Sequence, residues 1–234
     1  MSIAAPKPRP AKSIVPPLQT GDRLTGEEFE RRVSALPEST RAELIDGRVY
    51  MPPPAFEEHH GIPHMALNFI ISSYWFATPG VIAADNSSLR LDLGTLSQPD
   101  IYLRVLENHG GRTRRTKSGY VEGAPELVVE VAASRASYDL HEKLEAYRRN
   151  GVNEYIVWRT YENALNWFAL RGGRYKPLTP KFKSVICSKV FPGLWLDSAA
   201  LLRFDLAELR KVVEQGLASS EHGEFVAKLA SAAK

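Results

Sequence analysis

The sequence predicts an α/β protein: one mixed β-sheet with helices packed on its faces. Three observations predict it. Helical and strand periodicities follow one another as helix, hairpin, helix, strands, helix, strands, helices. The run Leu127-Val128-Val129-Glu130-Val131 is almost continuously apolar, as a covered central strand is. The chain has 234 residues, 44% hydrophobic and 24% charged, enough to bury a core of that size.

Residues 1–20 are rich in Pro, Lys and Ala and read as a disordered leader with little to bury. Thr25, ahead of Glu27, Glu28, Phe29 and Val33, caps a first helix. Asp46-Gly47 between Glu43-Leu44-Ile45 and Val49-Tyr50 is a hairpin signal. The spacing of Leu67, Ile70, Ile71 and Tyr74 predicts a helix over Ile62 to Phe76, with Pro63 in its first turn and Pro79-Gly80 beyond its end. Leu89, Leu91 and Leu93 alternate with polar residues as a half-buried strand. Gly94 to Gln98 reads as a loop before a strand that starts at Asp100. After a polar, basic stretch from Glu107 to Gly123 comes the Glu130 strand. Asp139 with Glu142 predicts a capping box for a helix that Gly151 closes. Tyr155 to Trp158 and Ala164 to Leu170 read as strands; Asp205 to Leu217 and Glu221 to Ala233 read as helices. The expected organisation is a leader over 1–20, a main α/β domain over 21–198 and a C-terminal helical extension over 199–234.

Composition narrows the function. A net charge of +3 cannot hold a polyanion at physiological salt, so any nucleic-acid grip must be local. Cys187 is the single cysteine, which excludes an internal disulfide and fits a reducing, cytoplasmic setting. The first 20 residues lack the apolar run of a signal peptide. The stretch Met65 to Phe76 is too short to span a bilayer.

Three residues stand out chemically. Glu130 puts a charge inside an apolar strand, which is costly unless it reaches water, pairs, or binds a cation. Lys143 shares a helix face with Leu140, Leu144 and Tyr147, so it either snorkels to solvent or meets an anion. That helix follows the Glu130 strand, and packing it back on the sheet brings the two charges together. Asp100 follows Pro99 at a strand start, a pair that is also common in turns. Two carboxylates and an amine suit phosphodiester hydrolysis. Carboxylate oxygens hold Mg²⁺, or Mn²⁺ in its place. The cation activates water, and the amine stabilises the pentavalent anion or orients the water.

The ordered set Glu43-Leu44-Ile45-Asp46-Gly47, Pro52-Pro53, His60, Pro99-Asp100, Leu127 to Val131, Tyr138-Asp139, Lys143-Leu144, Tyr147 and Gly151 to Tyr155 resembles the Uma family. That family is described as restriction endonucleases of the PD-(D/E)XK nuclease superfamily and was formerly catalogued as a domain of unknown function. The resemblance runs from about Leu24 to Leu196. It implies a restriction-endonuclease-like fold, with a mixed sheet of about five strands between helices. It also implies a Mg²⁺-dependent endonuclease acting on DNA. Asp100 and Glu130 would be metal ligands, Glu43 an extra acid and Lys143 the catalytic lysine. The superfamily's lysine two residues after the glutamate is replaced by Ala132; Lys143 on the following helix stands in for it. Arg159 stands where many members have Asp.

Other features admit blander readings. His60 and His64 have the spacing of a zinc-binding helical pair, but Pro63 lies between them and no glutamate stands in the metalloprotease position. Arg112, Arg114, Arg115 and Lys117 form either a phosphate-contacting or a merely solvated loop. Trp158, Trp167 and Phe168 read as core. Leu206, Leu209, Val213 and Leu217, then Phe225, Ala227 and Leu229, form a stripe that packs on the core or pairs two subunits. A homodimer is expected because the two scissile phosphates of a duplex are related by symmetry. The rival readings are a catalytically inactive binding or assembly module on a nuclease fold, and a zinc hydrolase built on the histidines.

Overall fold

The structure is a computed structural model that describes residues 15–37, 39–117, 119–133 and 138–233. Helix α1 (Gly26–Val33) starts where Thr25 Oγ1 accepts the Glu28 N–H at 3.3 Å. The hairpin of β1 (Glu43–Ile45) and β2 (Arg48–Tyr50) turns through Asp46 and Gly47, with φ of 53° and 73°. Two positive φ values in succession are the mirror-image turn that matches strand twist, and Asp-Gly tolerates it best. A π-turn, Glu57–Gly61, leads into α2 (Ile62–Ala77), whose Leu67, Ile70, Ile71 and Tyr74 are buried.

Among the described residues the strands form two six-stranded sheets and a two-stranded ribbon. The first sheet joins the hairpin to β4 (Leu89–Asp92), β5 (Thr95–Ser97), β7 (Arg114–Arg115) and β8 (Val121–Glu122), in the order β2-β1-β5-β4-β8-β7. The second contains β3 (Val81–Asp85), β6 (Ile101–Val105), β9 (Leu127–Ala132), β10 (Glu154–Arg159), β11 (Ala164–Arg171) and β12 (Arg174–Pro177), in the order β12-β11-β10-β9-β6-β3. Within it β9 and β10 run parallel, with Glu130 beside Val157. Their crossover carries a second π-turn, Asp139–Lys143, and α3 (Leu144–Asn150). Gly151 ends α3 at φ 81°, and Val152 N–H donates to Tyr147 O at 3.0 Å, closing the helix as expected. The ribbon pairs β13 (Val185–Cys187) with β14 (Trp195–Asp197). Three helices follow: α4 (Ser198–Leu202), α5 (Leu206–Leu217) and α6 (Ser220–Ala232).

The mixed α/β class holds, and four local expectations are corrected. The single sheet of about five strands is two sheets, because β5, β7 and β8 are only two or three residues long and carry no readable period. Gly94 to Gln98 contains β5, fixed by the long-range pairing of Leu96 with Leu44. Leu93 does not continue the β4 alternation; it is exposed in the turn. The leader expected over 1–20 lies outside the described residues up to position 14, but Leu18 is buried with Phe29, Leu44, Val49 and Leu96. The C-terminal stripe packs on the core: Leu209, Val213 and Leu229 share one cluster with Ile70, Ile71 and Phe191, while Leu206 is exposed.

Glu154 holds these layers together. Fully buried in β10, its Oε2 accepts from Trp167 Nε1–H at 3.0 Å and from Ser188 hydroxyl at 2.8 Å. Its Oε1 accepts from the N–H groups of Lys189 at 2.6 Å and Val190 at 3.3 Å. Burial pushes its carboxyl up, against the pull of these donors. The carboxylate thus ties the segment before β14 to the centre of the sheet. Glu154→Ala strands buried donors and is expected to lower stability by about 3 kcal/mol in urea unfolding. A loss under about 1 kcal/mol would show that the segment is held by packing alone.

Candidate active site

Alternation along β9 sends Val129 and Val131 into the core beneath α2, and Val128 and Ala132 into the cluster beneath α3 with Tyr147, Tyr155 and Val157. Glu130 takes the second direction, so its carboxylate meets the crossover helix. Lys143 lies on the packed face, as its position in the apolar stripe predicts. Its Nζ donates to Glu130 Oε1 at 2.9 Å and lies 3.1 Å from Glu43 Oε1 and 3.8 Å from Asp139 Oδ1. Tyr147, one turn further along, donates its hydroxyl to the same Glu130 oxygen at 2.9 Å. Glu43 opens β1, and its Oε1 also accepts the Gln98 N–H at 2.7 Å, locking the hairpin to the end of β5.

Asp100 precedes β6. Its Oδ2 accepts the Val131 N–H at 2.8 Å, and its Oδ1 lies 3.0 Å from His60 Nε2. His64 Nε2 lies 3.2 Å from the Asp100 carbonyl oxygen. His60 and His64 therefore both serve Asp100 rather than forming a zinc pair. His59 stacks on Tyr161 with ring centroids 4.2 Å apart.

The four expected residues, Glu43, Asp100, Glu130 and Lys143, come together on one cavity of about 150 Å³. Sequence reading missed that Asp139 and Tyr147 belong with them. Asp139 is not an N-cap. Tyr138 already has helical dihedrals, so Asp139 lies inside the π-turn, where its carboxylate faces the ammonium four residues on. That i, i+4 spacing was the available signal. Tyr147, at i+4 from Lys143, offered the same signal but was read as core.

The electrostatics follow from burial. Glu43, Asp100, Glu130 and Asp139 are all buried, against one buried ammonium. Burial drives the Glu130 carboxyl well above the usual carboxylate range. Lys143 opposes the rise, and Asp100, Asp139 and Glu43 add to it. Burial would also raise Asp100, but His60, the Val131 N–H and Lys143 outweigh it and hold its carboxyl below the ordinary value. Burial would lower Lys143, yet Glu130 and Glu43 keep the ammonium charged and raise it well above its ordinary value. The cluster is short of positive charge.

That shortage and the donor chemistry fit a hard divalent cation. Asp100, Glu130 and Glu43 offer carboxylate oxygens, the donors that Mg²⁺ and Mn²⁺ take and that zinc sites rarely rely on alone. Among the described residues no three His, Cys, Asp or Glu side chains already stand at metal-ligating spacing; Lys143 Nζ sits between the acids instead.

The basic loop is largely committed internally. Arg114 pairs with Glu122 at 2.8 Å, and Arg112 lies 3.6 Å from Glu126 and donates to Gly151 O at 3.1 Å. Arg159 donates to Asn166 Oδ1 at 3.0 Å and pairs with Glu162, away from the carboxylates. Trp158 and Trp167 are buried in the core as expected, and Phe168 packs partly buried against Tyr175.

Comparison with known proteins agrees with this picture. No curated protein matches the chain. A solved structure from Anabaena variabilis ATCC 29413, described as a putative nuclease belonging to DUF820, superposes with a TM-score of 0.60. It is 15% identical, over 77% of this chain and 98% of that one. At that identity the likeness shows the fold, which is nuclease-like. The family model Uma2, described as "Putative restriction endonuclease", matches residues 27–199. That span holds both six-stranded sheets and every residue of the carboxylate–lysine cluster. The chain therefore belongs to the Uma2 family.

Proposed function

We propose that the protein is a metal-dependent endonuclease that hydrolyses DNA phosphodiester bonds by water attack, with Mg²⁺ as its cation. The observation that carries this reading is the buried group of four carboxylates around one lysine, set at the floor of a solvent-reaching cavity. Asp100 and Glu130 would hold the cation, with Glu43 as a further oxygen donor beside them. When bound, the cation lowers the pKa of its water from about 15.7 towards 7 and neutralises charge on the phosphate. His60 and the Val131 N–H fix the rotamer of Asp100, so that ligand is oriented in advance. Tyr147 does the same for Glu130. Lys143, freed from the acids, offers its protons to the anionic oxygens of the phosphodiester or orients the attacking water.

Two further elements belong to the proposal. A two-fold dimer would present two such sites to the two strands of a duplex. The α5–α6 stripe is occupied by the core, so the contact would fall elsewhere; α2 leaves Met65, Phe69 and Phe76 exposed. Monodisperse monomer in light scattering at micromolar concentration would remove this element. A cytoplasmic setting rests on the single free Cys187, buried within the ribbon. Among the described residues no helix is long and apolar enough to cross a membrane. The second reading, an inactive binding module, keeps the fold and loses the cation.

Plasmid cleavage with Mg²⁺ or Mn²⁺ tests the proposal. Asp100→Ala and Glu130→Ala are each expected to cut at least about 10²-fold more slowly than the wild type. Cutting that survives both substitutions would place the site elsewhere, and a wild type inert on both varied duplex and single-stranded DNA would favour the binding module.

The charge shortage makes a separate prediction about stability. Glu130's folded pKa lies above its unfolded value, so its contribution is full below about pH 4.5 and is lost as pH rises through the folded value. Glu130→Gln keeps an acceptor for Tyr147 and leaves Lys143 its Glu43 and Asp139 partners. Without metal it should be about 1 kcal/mol more stable than the wild type at pH 8, with the gain fading towards pH 4.5. Mg²⁺ should raise the melting temperature of the wild type and not of Glu130→Gln. A variant less stable than the wild type at pH 8 would show that Lys143 already balances the acids.

A further inference from the structure

The cavity above the acids has walls that hydrolysis alone does not require. Pro52, Pro53 and Pro54 stiffen one side. Phe56 and the stacked pair of His59 and Tyr161 form an aromatic rim. Phe56 is 66% exposed and Tyr161 59% exposed, although both border a floor whose carboxylates are nearly inaccessible. Single exposed aromatics are ordinary on a protein surface. Aromatic rings gathered around a cavity that reaches the acid cluster are not. A second cavity, of about 450 Å³, shares Arg41, Pro52 to Ala55 and His60 with the first and continues to His64 and Asn86. Arg41 is the cation common to both, and it makes no hydrogen bond or ion pair with any described residue.

We propose, resting on the nuclease reading above, that the substrate is single-stranded DNA or an unpaired stretch of it. One unstacked base lodges against Phe56 and Tyr161, and a flanking phosphate lies on Arg41. Three physical points favour this over intact duplex. A duplex is a stiff, convex rod, and Asp100 and Glu130, 7% and 4% exposed, lie below the surface such a rod would touch. The faces of paired bases are covered by their neighbours, so rim aromatics gain stacking only from a base already out of the stack. Duplex binding draws on many phosphate contacts, whereas the π-turn that borders the cavity carries exposed Glu57 and Glu58, and Arg112, Arg114 and Arg159 are tied to acids.

The test separates binding from cutting. Fluorescence anisotropy of labelled oligothymidylate and of a blunt duplex of equal length, with full-length protein in EDTA, reads affinity where no metal-dependent cleavage occurs. Single strand is expected to bind at least about tenfold more tightly. Phe56→Ala and Tyr161→Ala should each weaken single-strand binding about tenfold and leave duplex binding unchanged. Arg41→Ala should reduce the slope of log affinity against log salt by about 0.7, one single-strand phosphate contact. Equal affinity for the two forms, or aromatic variants that bind single strand as the wild type does, would overturn the proposal. Cleavage assays on the same two oligonucleotides with Mg²⁺ separate the layers. Duplex cut as fast as single strand refutes the substrate class and leaves the nuclease reading standing. No cutting of either, with the aromatic-dependent binding intact, refutes the nuclease and keeps the single-strand site.

Discussion

One ammonium group sets the constraints on this fold. Lys143 Nζ is buried among carboxylates brought by three different parts of the chain: Glu43 from the hairpin, Glu130 from the central sheet and Asp139 from its own helix. An ion taken out of water without partners costs several kcal/mol even after the surroundings relax. The three elements must therefore meet in one arrangement, or the lysine is stranded. The helix register follows, because Tyr147 must fall on the same Glu130 oxygen one turn later. So does the placement of the first sheet, since the Glu43 oxygen that meets Lys143 also accepts the Gln98 N–H at the end of β5. The charge that fixes the architecture is smaller than the opposing charge around it: one ammonium stands among several buried carboxylates.

The local backbone serves the same end. The two π-turns, Glu57–Gly61 and Asp139–Lys143, both border the cavity. A π-turn inserts a residue into the helical repeat at a cost in hydrogen-bond geometry, and such turns concentrate at functional sites. The first delivers His59 to the rim and His60 to Asp100. The second begins at Asp139 and ends at Lys143, so the pair that faces across one turn is also the pair that defines it. Each π-turn then runs directly into a regular helix, α2 or α3, whose packing holds it in place.

What the sequence disclosed depended on the range of the interaction. Thr25, Asp46-Gly47 and Gly151 act within a few residues, and each marks its cap or turn. The Glu130–Lys143 pair was legible because strand alternation and helical phase both aim at the crossover. The first sheet was not, since β5, β7 and β8 are two or three residues long with no period of their own, and β5 and β8 enter it through partners tens of residues away, Leu96 with Leu44 and Val121 with Leu89. Asp139 shows the limit most clearly. Its spacing to Glu142 is that of a capping box, and only the helical conformation of Tyr138 shows that the helix has already begun. His60 and Asp100 lie 40 residues apart, and nothing local announces their contact.

The position of the lysine has its own logic. Two residues beyond Glu130, on the same face of β9, Ala132 lies 1% exposed in the apolar cluster with Tyr147, Tyr155 and Val157. A lysine there would have to run under the crossover helix to find an acid, displacing the rings that pack the helix down. From the helix, Lys143 approaches Glu130 from above and leaves that packing intact. The division has a mechanical consequence. Asp100, Glu130 and Glu43 are held on or next to strands whose backbone hydrogen bonds fix them, so the acids are rigid with respect to one another. The cation comes from the first turns of a helix. The acids and the ammonium among them thus rest on separate elements, strands and their ends for Asp100, Glu130 and Glu43 and the π-turn for Lys143.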